Sequence, residues 1–168
     1  ELTRRSFNQL FVDLYTSYAW LLDKEIYTEA DREFFKSVRV DMTNNVAAVS
    51  INKLCEWLYR YYGKKVLVLL DEYDTPLQEA YINGFWDEMV SYTRALFNST
   101  FKTNPSLERG IMTGITRVSK ESIFSDLNNL VIVTTTSNLY ADCFGFTEEE
   151  VFQALEDQGF TEKDRQDL

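Results

Sequence analysis

Apolar residues recur at three- and four-residue steps early in the chain and in short unbroken runs later. Phe7, Leu10, Phe11, Leu14, Tyr15, Tyr18 and Leu21 make one broad stripe, which predicts an amphipathic helix. Residues 27–41 are mixed; Phe34, Phe35 and Val38 are core candidates, and a short helix fits over 28–37. Thr43 reads as the N-cap of a second long helix carrying Ala47, Ile51, Leu54, Leu58 and Tyr61, with Gly63 ending it and Lys64 and Lys65 favouring its dipole. The run Val66–Leu70 has no polar interruption and predicts a central strand buried on both faces, as in parallel sheets. A further helix is expected over 83–99, with Trp86, Met89, Val90, Thr93, Leu96 and Phe97 on one side. Asn104-Pro105-Ser106 is a turn, residues 109–116 read as a second strand despite two glycines, and 131–135 as a third. Thr147 and Glu150 open a last helix as a capping box, with Phe152 and Leu155 inward and Gly159 as its stop. Helices alternating with short buried strands predict an α/β fold, a parallel sheet flanked by helices.

Composition narrows the chemistry. The 168 residues are 45% hydrophobic and 15% aromatic, enough to fill a sizeable core and to exclude disorder. There is no His, which removes imidazole acid–base catalysis and zinc–histidine sites. The two cysteines, Cys55 and Cys143, read as reduced thiols of a cytoplasmic protein rather than a disulfide framework. A formal charge of −10 speaks against direct nucleic-acid binding, because neutralising phosphates takes a basic surface. No run approaches the roughly 20 apolar residues of a membrane span. The chain opens at Glu1 without Met and reads as a piece of a longer protein.

The strongest chemical signal comes directly after the first strand. Val66–Leu70 leads into Asp71 and Glu72, which places two carboxylates at the carboxyl edge of a sheet, where open α/β sheets bind ligands. One carboxylate there can hold a hydrated magnesium ion through water, and its neighbour can orient or deprotonate an attacking water. The bland alternative is a pair of solvated acids before a turn at Asp74-Thr75-Pro76. A helical placement of Val66–Leu70, or one on a solvent-exposed edge, would remove the nucleotide-hydrolysing reading.

The segment from Leu69 to Leu77, Leu-Leu-Asp-Glu-Tyr-Asp-Thr-Pro-Leu, resembles the Walker B segment of the bacterial AAA-ATPase-like domain, a P-loop NTPase fold often linked to a PD-(D/E)XK nuclease-like domain. Downstream, residues 113–120 and 122–130 are similar to the family's sensor-like strand and the loop after it, and 144–150 to its Gly-Phe-Thr-acidic block. The resemblance implies one AAA-ATPase-like domain over 1–168, with a helical part to about residue 63 and a Walker B and sensor sheet from about 64 onward. It implies magnesium and ATP as cofactors of the intact protein, with Asp71 holding the metal and Glu72 positioning water. Thr113 and Thr116 would be sensor residues near the water or the γ-phosphate, although an ordinary β-favouring Thr explains them as well. Arg117 is a candidate for meeting a phosphate, against the commoner fate of a surface ion pair. Asp74 is a further metal candidate, beside its simpler role of starting the turn.

One element of the family pattern is missing. A P-loop needs Gly, four residues, then Gly-Lys-Ser/Thr. The one Gly-Lys is Gly63-Lys64, with Leu58 and Lys65 in the flanking positions of the motif, so it is not a P-loop. No tight nucleotide binding is therefore expected of these residues, and the family's P-loop is expected upstream. Without the P-loop strand the sensor strand would lack a neighbour, to be replaced by 131–135 or, preferably, by a second copy of the chain. The alternative function is a non-catalytic regulatory or interaction module attached to an effector such as a nuclease. The nuclease site itself needs Asp/Glu-x-Lys, and no such triplet occurs.

Overall fold

The computed structural model describes residues 2–115, 123, 124, 127, 129–143 and 145–160. The chain divides into two compact units, 1–128 and 129–168. The first begins with α1 (Leu2–Ser17), a 3₁₀ turn (Ala19–Asp23), α2 (Glu29–Ser37) and α3 (Asn44–Tyr62). Thr43 caps α3 by accepting from the Val46 N–H, and Gly63, in the left-handed region at φ 65°, ends it by donating to the Tyr59 carbonyl at 2.8 Å. The glycine of the lone Gly-Lys pair thus terminates a helix.

Aromatic side chains weld these helices together. Trp57 is buried and packs against Tyr15, Tyr27, Phe34 and Phe35, stacking on Phe35 at 5.9 Å. Their polar ends close on the backbone: the Tyr15 hydroxyl donates to the Ser50 carbonyl at 2.7 Å and that of Tyr27 to the Trp57 carbonyl at 2.8 Å. Burial pushes the Tyr15 phenol far up from its ordinary range. Asp31 joins α2 to α3 by accepting from the Thr28 backbone, Trp57 Nε1 and Arg60 at 2.8–2.9 Å. Burial alone would raise its carboxyl, but these hydrogen bonds prevail and hold it well below the usual carboxylate range.

Strand β1 (Val66–Leu70) comes next, then α4 (Thr75–Asn83), α5 (Trp86–Phe97), a π-helical turn (Asn98–Lys102) and β2 (Leu107–Met112). β1 and β2 pair in parallel, Val68 opposite Gly110 and Leu70 opposite Met112, with an irregularity after Val66. Neither the expected central position of β1 nor its full burial holds: among the described residues it pairs with β2 alone. Val66, Val68 and Leu70 are half-buried, while Leu67 and Leu69 are 59% and 73% exposed. The described residues supply helices for one face of the sheet only. An apolar groove of about 410 Å³ runs along β1 against Leu10 and Leu14 of α1, Tyr18 just after it and Leu58 of α3, which is why Leu10 of the predicted inward stripe is exposed.

Three other expectations are corrected. The helix expected over 83–99 is present as α5, but it is preceded by α4, which the residue pattern does not suggest: Pro76 lies in the first turn of α4 and Gly84 at φ 78° ends it. Asp74-Thr75-Pro76 therefore opens a helix rather than an isolated turn. The strand expected over 109–116 ends at Met112; Thr116 and Arg117, like Asp126 and Asn128 of the family-like loop over 122–130, lie outside the described residues. In the second unit, 131–135 forms no strand, and Val131 is exposed. Its β-branched run lacks the paired edge that a strand requires. The expected final helix is present as α6 (Glu148–Asp157), with the reciprocal Thr147–Glu150 cap, although Phe152 and Leu155 are only half-buried. Among the described residues no helix is long and apolar enough to cross a membrane.

Candidate functional site

The carboxyl ends of β1 and β2 lie side by side because the strands are parallel and in register there. Pairing continues one step past the strands. The Thr113 N–H donates to the Leu70 carbonyl at 2.9 Å, and the Tyr73 N–H donates to the Thr113 carbonyl at 3.0 Å. This brings Asp71, Glu72 and Thr113 together. The Thr113 hydroxyl donates to Asp71 Oδ1, which also accepts the Glu72 N–H at 3.1 Å. The same Glu72 N–H lies 3.4 Å from the Thr113 hydroxyl oxygen, a long hydrogen bond. Asp71, Glu72 and Thr113 are all exposed.

Glu72 sits at φ 51°, a left-handed backbone that costs a non-glycine residue about 1–2 kcal/mol. The turn after it holds it there, the Thr75 N–H donating to the Glu72 carbonyl at 3.1 Å. Strain of this kind concentrates at working sites. Nothing in the residue pattern signals it, since glutamate is an ordinary choice after an apolar strand.

Asp74 stands apart from the exposed pair. It is 1% exposed, its carbonyl accepts from Leu77 and Gln78 in the first turn of α4, and its carboxylate accepts from Gln78 Nε2 at 2.8 Å. Gly114 packs against this turn more closely than any side chain would permit. Tyr73 carries the site into the core, its ring edge-on to Phe97 and Phe124 at 6.4 and 5.4 Å. Sequence reading singled out Asp71, Glu72 and Thr113 but missed the close fit at Gly114, which depends on a contact between segments 40 residues apart.

The donor set fits part of what a magnesium nucleotide requires. Asp71 offers an exposed hard oxygen: Oδ1 is engaged by Thr113 and Glu72, while Oδ2 accepts no hydrogen bond from the described residues. Such an oxygen suits a cation that keeps most of its waters. Among the described residues there is no cluster of three or more Cys, Asp or Glu side chains able to cage a metal. The sequence contains no Gly-rich phosphate cradle, so the phosphates do not fit these residues alone.

The carboxyl end of a parallel sheet is where open α/β sheets place their ligands. The sequence profile of the AAA-ATPase-like family, whose description is "Predicted AAA-ATPase", matches residues 3–124, and the chain belongs to that family. Over 90 residues it is 32% identical to the Azotobacter chroococcum mcd 1 protein titled "Uncharacterized protein in vnfD 5'region". That alignment takes in 53% of this chain and 17% of the relative, so the chain spans a minor part of that protein's length. No solved structure matches.

Proposed function

We propose that Asp71 and Glu72 are the Walker B carboxylates of an AAA-ATPase-like domain that in its whole form binds and hydrolyses magnesium-ATP. The observation that carries this reading is the hydroxyl of Thr113, delivered from the adjacent parallel strand onto Asp71. Membership of the family supports it. In this reading Asp71 holds the hydrated metal through Oδ2. Glu72, exposed beside it, orients a water or takes its proton. Thr113 steadies Asp71, while Thr116 and Arg117 remain candidates for the nucleotide side of the site.

The residues present do not turn over ATP by themselves. The phosphate cradle is missing from the sequence, and a positioned water is of little use without a held γ-phosphate. The open placement of β1, which pairs with β2 alone among the described residues and exposes Leu67 and Leu69, counts against hydrolysis by this chain, because a central strand covered on both faces is the premise of that reading. These two features also favour a second reading, a non-catalytic regulatory or interaction module of a larger protein.

Manganese provides a test of the metal site, because it replaces magnesium and broadens nearby NMR resonances. Titrated into this chain, Mn²⁺ should broaden Glu72 and Thr113 first, and Asp71→Asn should abolish the effect. Uniform broadening across the many surface carboxylates, unchanged by Asp71→Asn, would contradict the assignment.

A further inference from the structure

We infer that Gly114 is a positioning residue for the Asp71–Glu72 pair: its bare backbone lets the segment after β2 lie flat on the Tyr73–Asp74 turn and carry the Thr113 hydroxyl to Asp71. The inference rests on the reading of Asp71 and Glu72 as the working carboxylates. A Cβ at position 114 would stand 2.7 Å from Asp74 Oδ1 and 2.7 Å from Cε1 of the Tyr73 ring. Ordinary contacts at these atoms are close to an ångström longer, on the order of 3.5 Å. Gly114 is not among the residues at positive φ, so the position demands space rather than glycine's conformational freedom.

Neither obstacle can retreat cheaply. Asp74 is buried and tied into the first turn of α4 by its carbonyl and by Gln78. The Tyr73 ring is wedged against Phe97 and Phe124, both buried. A methyl at 114 therefore displaces the β2 segment instead. Thr113 is the next residue back, and it links the two strand ends through its N–H to Leu70, its carbonyl to Tyr73 and its hydroxyl to Asp71. The 3.4 Å contact between the Glu72 N–H and the Thr113 hydroxyl has no slack, so outward movement removes it first. Glu72 then loses one of the contacts that hold its left-handed backbone in place.

Gly110 supplies a matched control. It lies on β2 itself and is likewise crowded, a Cβ there standing 2.5 Å from the Phe101 ring, but it pairs with Val68 inside the sheet. Both alanine variants should cost stability, and only one should disturb the carboxylates. In Gly114→Ala, amide hydrogen exchange at Tyr73 and Thr113 should accelerate at least about tenfold relative to α3 amides, a local loss of about 1.4 kcal/mol. In Gly110→Ala the ratio of these rates should stay at the wild-type value. Manganese broadening of Glu72 should need about tenfold more metal in Gly114→Ala and no more in Gly110→Ala. Wild-type exchange ratios in Gly114→Ala, or equal acceleration in both variants, would overturn the inference. If Gly114→Ala does not fold, the wild-type chain decides: cross-relaxation between the Gly114 α-protons and the Tyr73 ring supports the close fit, and its absence refutes it. A wild-type chain whose Glu72 ignores manganese would count against the metal reading of Asp71, while the exchange ratios would still decide the role of Gly114.

Discussion

Between α1, α2 and α3 the buried polar atoms close on one another. Tyr15 reaches the Ser50 carbonyl, Tyr27 reaches Trp57, Asp31 is shared by Thr28, Trp57 and Arg60, and from α5 Tyr92 reaches Asn8. At the carboxyl end of the sheet the balance is reversed. Asp71, Glu72 and Thr113 face water, apolar Leu67 and Leu69 stand exposed beside them, and Glu72 keeps a strained backbone. The helical layer is arranged for stability. The sheet end forgoes some stability to hold three polar groups in one place, which is what a site that must meet a ligand requires.

Substitutions can break this contrast, and Trp57→Ala should have the largest effect. It empties the centre of the aromatic cluster and should lower unfolding free energy by about 3–5 kcal/mol in urea denaturation. A loss below about 1 kcal/mol would mean that the helical layer is not the stable region.

Acid should act next, through Asp31. Its folded-state pKa lies below the unfolded value of about 4, so its contribution is complete above that value and drains away as pH falls through it toward the folded-state pKa. Asp31→Asn should cost about 2 kcal/mol at neutral pH and flatten the stability curve below about pH 5. An unchanged acid slope in Asp31→Asn would assign the sensitivity to other carboxylates.

At the sheet end the sign should reverse. Glu72→Gly relieves the left-handed backbone and should raise stability by about 0.5–1 kcal/mol in the same urea titration. A destabilised variant would show that the Glu72 side chain contributes to the fold. The smallest effect belongs to Leu69→Ser on the exposed face of β1, expected within about 0.5 kcal/mol of wild type. A larger loss would mean that this face is covered in solution.

The features legible in the sequence obey local rules. Thr43, Gly63 and the Thr147–Glu150 box mark helix ends through atoms only a few residues away, and they stand where expected. Asp71 and Glu72 at the end of β1 were equally legible, because the direction of a strand places the residues immediately after it. Burial of β1 was not legible. An apolar run states what a strand tolerates, and whether both faces are covered depends on distant segments. The same limit explains 131–135, whose β-branched residues form no strand without an edge to pair with, and Gly114, whose need for space arises from Tyr73 and Asp74. The stripe from Trp86 to Phe97 was legible as α5, whereas α4, opened at Pro76 and closed at Gly84, was hidden by reading Asp74-Thr75-Pro76 as a turn.

The central claim is that Glu72 does chemistry rather than structure. A longer family protein that contains this segment together with a Gly-x-x-x-x-Gly-Lys-Ser/Thr loop provides the direct measurement, phosphate release from magnesium-ATP with and without Glu72→Gln. The account predicts that turnover falls by at least about 100-fold, in the range expected for loss of a general base, while ATP binding persists. It also predicts no Glu72-dependent release from the 168-residue chain alone. Full turnover in the Glu72→Gln protein would contradict the account and leave the regulatory module as the reading of this domain.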